Sequence, residues 1–272
     1  MSDFPSLLFL GGGQMAEALI RGVLDAGLLP RDRIMATDVR PERLEHLARQ
    51  IGIRTEASNR AAAPFGEIVF LTVKPQDLPS LLDEIGPLVG AEQVVVSIAA
   101  GVPLARIESA FHGPIPTIRV MPNTPCLVRT GMAVLALGRH AGPRDEQLVL
   151  RIFNAVGRAI TLPERALDAV TALSGSGPAF ISLVVEALID AGVRVGLARD
   201  VATTLAVQTT LGTAVMLAET GEHPARLKEM VTSPGGTAIA GVHALERAGL
   251  RAAFMDAIVT ATKRSRELGR QE

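Results

Sequence analysis

Two short glycine-bearing stretches carry the residue types from which a reaction site can be built. The first, Gly11-Gly12-Gly13-Gln14-Met15-Ala16, follows an apolar run at 7–10 and has the spacing G-x-G-x-x-A. Between a strand and a helix each small residue has a task. Gly11 makes the tight turn, Gly13 lets the backbone approach a pyrophosphate, and Ala16 lets helix pack on strand. The helix N-terminus adds N–H groups and a partial positive charge for the phosphates. The motif predicts dinucleotide binding, with a purely structural glycine turn as the alternative.

The second stretch, Thr232-Ser233-Pro234-Gly235-Gly236-Thr237, opens a helix and is flanked by hydroxyls, a ready anion site for a carboxylate. A third glycine-containing approach, 174–179, locks at Pro178 in the first turn of a helix; a helix start with no ligand is an equal reading there. Two helix-terminal anion sites imply one molecule with phosphates and one with a carboxylate, a cofactor and a small acid. That combination points to hydride transfer, in which a nicotinamide supplies the redox chemistry and the protein positions the reacting pair.

The elements that would hold these residues alternate. β-rich runs at 7–10, 33–37, 68–72, 94–98 and 117–120 are separated by helical patterns at 14–26, 41–50, 78–85 and 104–110, the signature of a parallel sheet covered by helices. Further strands are predicted at 131–137 and 158–162, around a helix at 144–155. The run at 33–37 ends in Thr37-Asp38-Val39-Arg40, where a cofactor's adenine ribose would lie. An acid there accepts the 2′-hydroxyl of NADH, whereas an Arg holds the 2′-phosphate of NADPH. Thr37 and Arg40 favour NADPH, Asp38 keeps NADH open, and a surface charge is the alternative reading of Arg40. The runs at 68–72 and 94–98 deliver Thr72-Val73-Lys74-Pro75 and Ile98-Ala99-Ala100 to the carboxyl edge, where open α/β sheets bind ligands.

After Pro163 the pattern turns to long helices, at 179–195, 199–220, 224–231, 238–248 and 252–268. The expected architecture is an α/β doubly wound Rossmann-type domain, 1–164, followed by an all-α dimerisation and substrate-binding domain, 165–272. Residues 180–189 are apolar nearly all round, and a partner subunit is the simplest cover.

Composition narrows the function classes. The 272 residues are 48% apolar and 20% charged with a net charge of −1, which is globular. Aromatics are 3%, all Phe, and with near-neutral charge this argues against nucleic acid. The unbroken apolar runs fall short of the roughly 18 residues of a membrane helix, so no span is expected. The N-terminus lacks a basic, cleavable leader pattern, which places the expected location in the cytoplasm. A lone Cys126 forms no internal disulfide and no zinc site and reads as a small buried thiol. The five histidines show no metal-ligand spacing, so no metal is expected.

With these motifs assembled, the chain resembles the pyrroline-5-carboxylate reductase family nearly end to end. The residues that carry the resemblance are 11–16, Val73-Lys74-Pro75-Gln76, 97–102, 119–125, 174–179 and above all 231–237. It implies reduction of the cyclic imine 1-pyrroline-5-carboxylate to L-proline, usually with NADPH. It also implies a homodimer with interlocked helical domains, active sites formed between subunits, and higher assembly from dimers. Carried residue by residue, Gly11 to Ala16 would hold the pyrophosphate, and Thr37 to Arg40 with Asn59 the adenosine ribose. Thr72 to Pro75 and Ile98 to Ala100 would take the nicotinamide side, and Ser233, Gly235, Gly236 and Thr237 the substrate carboxylate. Many relatives place a Thr, proposed to hydrogen-bond the ring nitrogen, where this chain has Ala238. The Thr237 hydroxyl one position earlier, or water, is then the donor.

Three other functions compete. A related imine reductase acting on a different cyclic imino acid differs only in ring size. A β-hydroxyacid dehydrogenase would use a Lys from the long helix after the Rossmann domain, and no Lys lies between 179 and 220. A non-catalytic NADPH sensor would need no carboxylate cradle at 233–237.

Overall fold

The computed structural model describes residues 4–269. Among them eight strands form one sheet: β1 (Leu7–Leu10), β2 (Ile34–Thr37), β3 (Arg54–Glu56), β4 (Ile68–Leu71), β5 (Val94–Ser97), β6 (Thr117–Pro122), β7 (Gly131–Leu137) and β8 (Gly157–Thr161). Their order is 3-2-1-4-5-6-7-8, parallel throughout except for the antiparallel pair β6–β7. The chain winds from β1 out to β3 and then returns to the other side of β1 at β4. The strand order reverses there, and ligands bind open α/β sheets at the carboxyl edge of such a switch point.

The central strands are apolar without interruption because helices cover both sheet faces. Leu7 and Phe9 pack with Phe70, Val96 and Phe153 on one face, whereas Leu8 and Leu10 pack with Val69, Leu71 and Leu82 on the other. The Phe9 and Phe70 rings stack with centroids 4.6 Å apart, fixing the register of β1 against β4.

The helices are α1 (Gln14–Asp25), α2 (Pro41–His46), α3 (Asn59–Ala62), α4 (Leu78–Ile85), α5 (Leu104–Glu108), α6 (Pro143–Asn154), α7 (Leu167–Val170), α8 (Gly177–Arg194), α9 (Arg199–Thr220), α10 (Pro224–Met230), α11 (Thr237–Arg247) and α12 (Leu250–Leu268). On α1, Ala16, Leu19, Ile20 and Val23 are buried, an i, i+3, i+4, i+7 stripe facing the sheet. The expected helix at 41–50 is α2 followed by a wider turn at Leu47–Ile51. Neither β3 nor α3 was expected.

Two compact units divide the chain. The first runs through Ser176 and includes the chain from Ala261 onward; the second is Gly177–Thr260. The sequence boundary after 164 marks the last strand, and two contacts carry the first unit further. Leu167 on α7 is buried with Leu104, Val134 and Ala136. The Ser265 hydroxyl, near the end of α12, donates to the Asp168 carboxylate at 2.7 Å.

The second unit is helical and leaves much apolar surface bare. Ile181, Leu183, Leu205 and Leu211 are each at least half exposed. Two helical stretches, Glu164–Arg194 and Arg199–Thr220, reach mean hydropathies of 1.6 and 1.4 over 18 residues, enough by length and composition to cross a membrane. Unbroken runs did not show this length, because scattered hydroxyls and single charges break a run without lowering the window average. Apolar patches of this size mark a surface that something else covers.

Candidate active site

The glycine turn sits at the switch point and is held from both flanks. The Gly11 N–H donates to the Thr37 carbonyl at 3.1 Å, and the Thr72 hydroxyl reaches the Leu10 and Gly11 carbonyls at 3.0 and 2.6 Å. Gly11 has φ +103°, and a Cβ there would lie 3.0 Å from the backbone of Thr72 and Val73, so only glycine fits. Gly13 differs. Its backbone is extended (φ −63°, ψ −175°), and a Cβ would meet nothing within 4 Å. That open space lies against the first turn of α1, where Gln14, Met15 and Ala16 have N–H groups without intrahelical acceptors. Space and donors together fit a pyrophosphate.

The end of β2 gathers the residues expected around the adenosine ribose. The Asp38 carboxylate accepts from the Gly12 N–H at 3.1 Å, the Arg40 N–H at 3.0 Å and the Arg40 guanidinium at 3.0 Å. Burial alone would raise its pKa, but these hydrogen bonds, led by the Arg40 side chain, hold it below the ordinary 3.8. The buried Thr37 hydroxyl donates to Asn59 Oδ1 at 2.6 Å, and the Asn59 amide donates to Glu84 at 2.9 Å. Thr37, Asp38, Arg40 and Asn59 thus share one edge, offering a carboxylate for hydroxyls and a guanidinium for phosphate.

On the other side of β1, Thr72 and Ile98 continue the ladders past β4 and β5; the Ile98 N–H donates to the Leu71 carbonyl at 3.2 Å. Ala99 is buried, whereas Ala100, Lys74 and, partly, Pro75 reach the surface. A largely apolar pocket of about 410 Å³ opens here, lined among others by Pro75, Gln76, Ala100, Gly101, Ser265 and Leu268. Sequence reasoning missed the contribution of α12. No local signal marks a terminal helix as returning to the first unit.

The stretch 174–179 is more ordered than a flexible approach. The Asn123 amide donates to the Ser174 carbonyl and hydroxyl at 3.2 and 3.3 Å, while its oxygen accepts the Met132 N–H at 2.8 Å. Asn123, within the motif after β6, therefore ties this segment to the sheet. Cys126 is buried, and burial raises its thiol pKa above 9.0.

Glu17, in the first turn of α1, meets two arginines and a histidine ring. Its carboxylate accepts from Arg43 at 2.5 Å and Arg21 at 2.8 Å, and lies 3.2 Å from a His46 ring nitrogen. Burial opposes ionisation, but the hydrogen bonds from Arg21, Arg43 and His46 outweigh it and lower the pKa from 4.5 to about 2. A depressed carboxylate pKa stabilises the fold above its unfolded value, and this contribution disappears as pH falls through the folded value. Glu17→Gln is therefore expected to be less stable than wild type at neutral pH, with the difference shrinking between pH 4.5 and about 2. Parallel melting-temperature profiles across that range would contradict it.

In the second unit, the loop between α10 and α11 holds the residues expected to cradle an anion. Gly235 has φ +67°, and Gly236 caps α11 in extended conformation with no side-chain hydrogen bond to the helix end. The Gly236 N–H is already donated to the Ser233 carbonyl at 3.1 Å, closing the turn. The donors left facing outward are those of the first turn of α11, beginning with Thr237. Ser233, Gly235 and Thr237 are exposed and Gly236 is half-buried.

Comparison with known proteins agrees with both halves. Residues 164–268 match the family described as pyrroline-5-carboxylate reductase dimerisation, and residues 6–101 match the family NADP oxidoreductase coenzyme F420-dependent. The pyrroline-5-carboxylate reductase of Methanosarcina acetivorans is 47% identical over 263 residues, 97% of each chain. The pyrroline-5-carboxylate reductase structure from Coxiella burnetii superposes with a TM-score of 0.93 at 34% identity, covering 98% of this chain and 99% of that one. The Plasmodium falciparum pyrroline carboxylate reductase, solved with NADP bound, gives a TM-score of 0.87 at 30% identity over 99% of both chains.

Proposed function

This chain belongs to the pyrroline-5-carboxylate reductase family, and from that premise we propose how its residues divide the work of the reaction. The enzyme reduces the C=N bond of 1-pyrroline-5-carboxylate to give L-proline, the last step of proline biosynthesis, and uses NADPH. When bound, the reduced nicotinamide supplies the hydride. Everything else falls to the protein.

Gly11, Gly12, Gly13, Gln14, Met15 and Ala16 form the pyrophosphate turn, and the open space at Gly13 is where the phosphates approach. Thr37, Asp38, Arg40 and Asn59 hold the ribose end, with Arg40 supplying the charge for the 2′-phosphate and Asp38 admitting NADH as a second cofactor. Thr72, Val73, Lys74, Pro75, Ile98, Ala99 and Ala100 flank the nicotinamide.

The substrate carboxylate binds the loop of Ser233, Gly235, Gly236 and Thr237. The observation that carries this assignment is the bare N-terminus of α11, capped by a glycine whose own N–H is spent on closing the turn. Its first-turn donors and dipole then act on the ligand. An imine accepts hydride more readily when protonated, because the positive charge draws hydride to carbon. The Thr237 hydroxyl hydrogen-bonds the ring nitrogen in place of the absent hydroxyl at Ala238. Orientation of the ring supplies most of the acceleration.

The dimerisation family match and the bare faces of α8 and α9 support a homo-oligomer built from dimers with interlocked helical units. A second copy, rather than a bilayer, covers those faces, and we place the enzyme in the cytoplasm.

The carboxylate assignment is tested by removing that group from the substrate. With 1-pyrroline in place of 1-pyrroline-5-carboxylate, kcat/KM is expected to fall on the order of a hundredfold or more, the loss of charge-assisted hydrogen bonds at about 1.5–3 kcal/mol each. Equal turnover of the two imines would remove the loop from the site.

A further inference from the structure

Arg43, on α2, has no role in the division of work above, yet its guanidinium reaches into the glycine turn. Its Nε donates to the Gly12 carbonyl, and one terminal nitrogen donates to the Gly13 carbonyl at 3.2 Å and to Glu17 at 2.5 Å. The side chain is only 16% exposed.

A trans peptide is planar, with its carbonyl and the following N–H pointing in opposite directions. Holding the Gly12 carbonyl therefore fixes where the Gly13 N–H points, and holding the Gly13 carbonyl does the same for the Gln14 N–H. The two preceding N–H groups of the turn are already used: Gly11 donates to Thr37 and Gly12 to Asp38. The donors that Arg43 aims are thus the first ones left for a phosphate. Arg43 also answers an electrostatic problem. Glu17 is an anion in the first turn of the helix that must attract phosphates, and Arg43 and Arg21 offset its charge.

We propose that Arg43 is a positioning residue for the dinucleotide: anchored by Glu17, it grips the Gly12 and Gly13 carbonyls and so orients the Gly13 and Gln14 N–H groups toward the pyrophosphate. This rests on the cofactor reading given above. Because NADH and NADPH share the pyrophosphate, Arg43 serves both alike.

The test uses the full-length enzyme with Arg43→Gln and Arg43→Lys, titrated with each reduced cofactor by nicotinamide fluorescence and assayed at steady state. For Arg43→Gln the dissociation constants of NADPH and NADH are expected to rise by the same factor, roughly tenfold. At saturating cofactor, kcat and the KM for 1-pyrroline-5-carboxylate stay within about twofold, because the turn binds ground and transition states alike. Arg43→Lys, with one point charge where a fork bridges three acceptors, recovers only part of the loss. Adding Glu17→Gln to Arg43→Gln improves cofactor binding over the single variant, because the uncompensated carboxylate is gone. Cofactor affinities unchanged beside a lowered melting temperature would overturn the proposal and leave Arg43 purely structural. A loss confined to NADPH would overturn it in favour of direct contact with the 2′-phosphate. A wild-type protein that binds neither cofactor would instead overturn the cofactor reading itself.

Discussion

Gly13→Val is expected to leave the protein folded and to weaken NADPH binding on the order of a hundredfold or more. The backbone at Gly13 is extended, a conformation that valine adopts readily, and a Cβ there touches nothing within 4 Å. The melting temperature should therefore stay close to wild type. The space that the side chain enters is the approach to the first turn of α1, and a phosphate displaced from it loses several charge-assisted hydrogen bonds at about 1.5–3 kcal/mol each. Gly11→Ala is the contrasting control, because φ +103° and the Thr72 backbone at 3.0 Å make the damage structural. Thermal melts and cofactor titrations separate the two. Full NADPH affinity in Gly13→Val would place the pyrophosphate elsewhere.

Thr237→Ala is expected to lower kcat/KM for 1-pyrroline-5-carboxylate on the order of 10²–10³, the typical cost of one well-aimed donor where charge changes during the reaction. Thr237 is the first residue of α11 and is exposed, while Ala238 has no hydroxyl to substitute for it. The hydroxyl also holds the ring in the bound ground state, so KM should rise at least as clearly as kcat falls. Thr237→Ser keeps the hydroxyl and should keep most of the activity. Combining Thr237→Ala with Ala238→Thr should return much of the loss by moving the hydroxyl one position along the helix. Unchanged kinetics in Thr237→Ala would remove Thr237 from the site and leave water as the donor.

What could be read from the sequence follows from where local chemistry decides the outcome. The β1 turn was legible because three small residues at fixed spacing have separate physical tasks, and the structure gives Gly11 and Ala16 the backbone and packing those tasks need. The edge strand β3 was not legible: Arg54-Thr55-Glu56 has no apolar alternation and is a strand only because it pairs with β2. The same holds for the extent of the first unit. Nothing around Ser265 announces that the end of α12 bonds Asp168, a residue 97 positions earlier. Arg43 was hidden for a related reason, since a charge on a short exposed-looking helix reads as surface until its partners across the turn are known. The apolar face of α8 was visible at 180–189 as an unmet need, and the dimerisation family match implies homo-oligomerisation; the bare face of α9 was not singled out.

The reaction is tested most directly by one assay: NADPH oxidation followed at 340 nm with 1-pyrroline-5-carboxylate, with proline quantified in the same sample. The chain has no Trp and no Tyr, so the reduced nicotinamide can also be followed against a low protein background. The expected result is one L-proline formed per NADPH consumed, with a six-membered imine acid turned over roughly 10–200-fold less efficiently, the usual discrimination for one methylene. Folded protein that binds NADPH yet forms no proline would contradict the account.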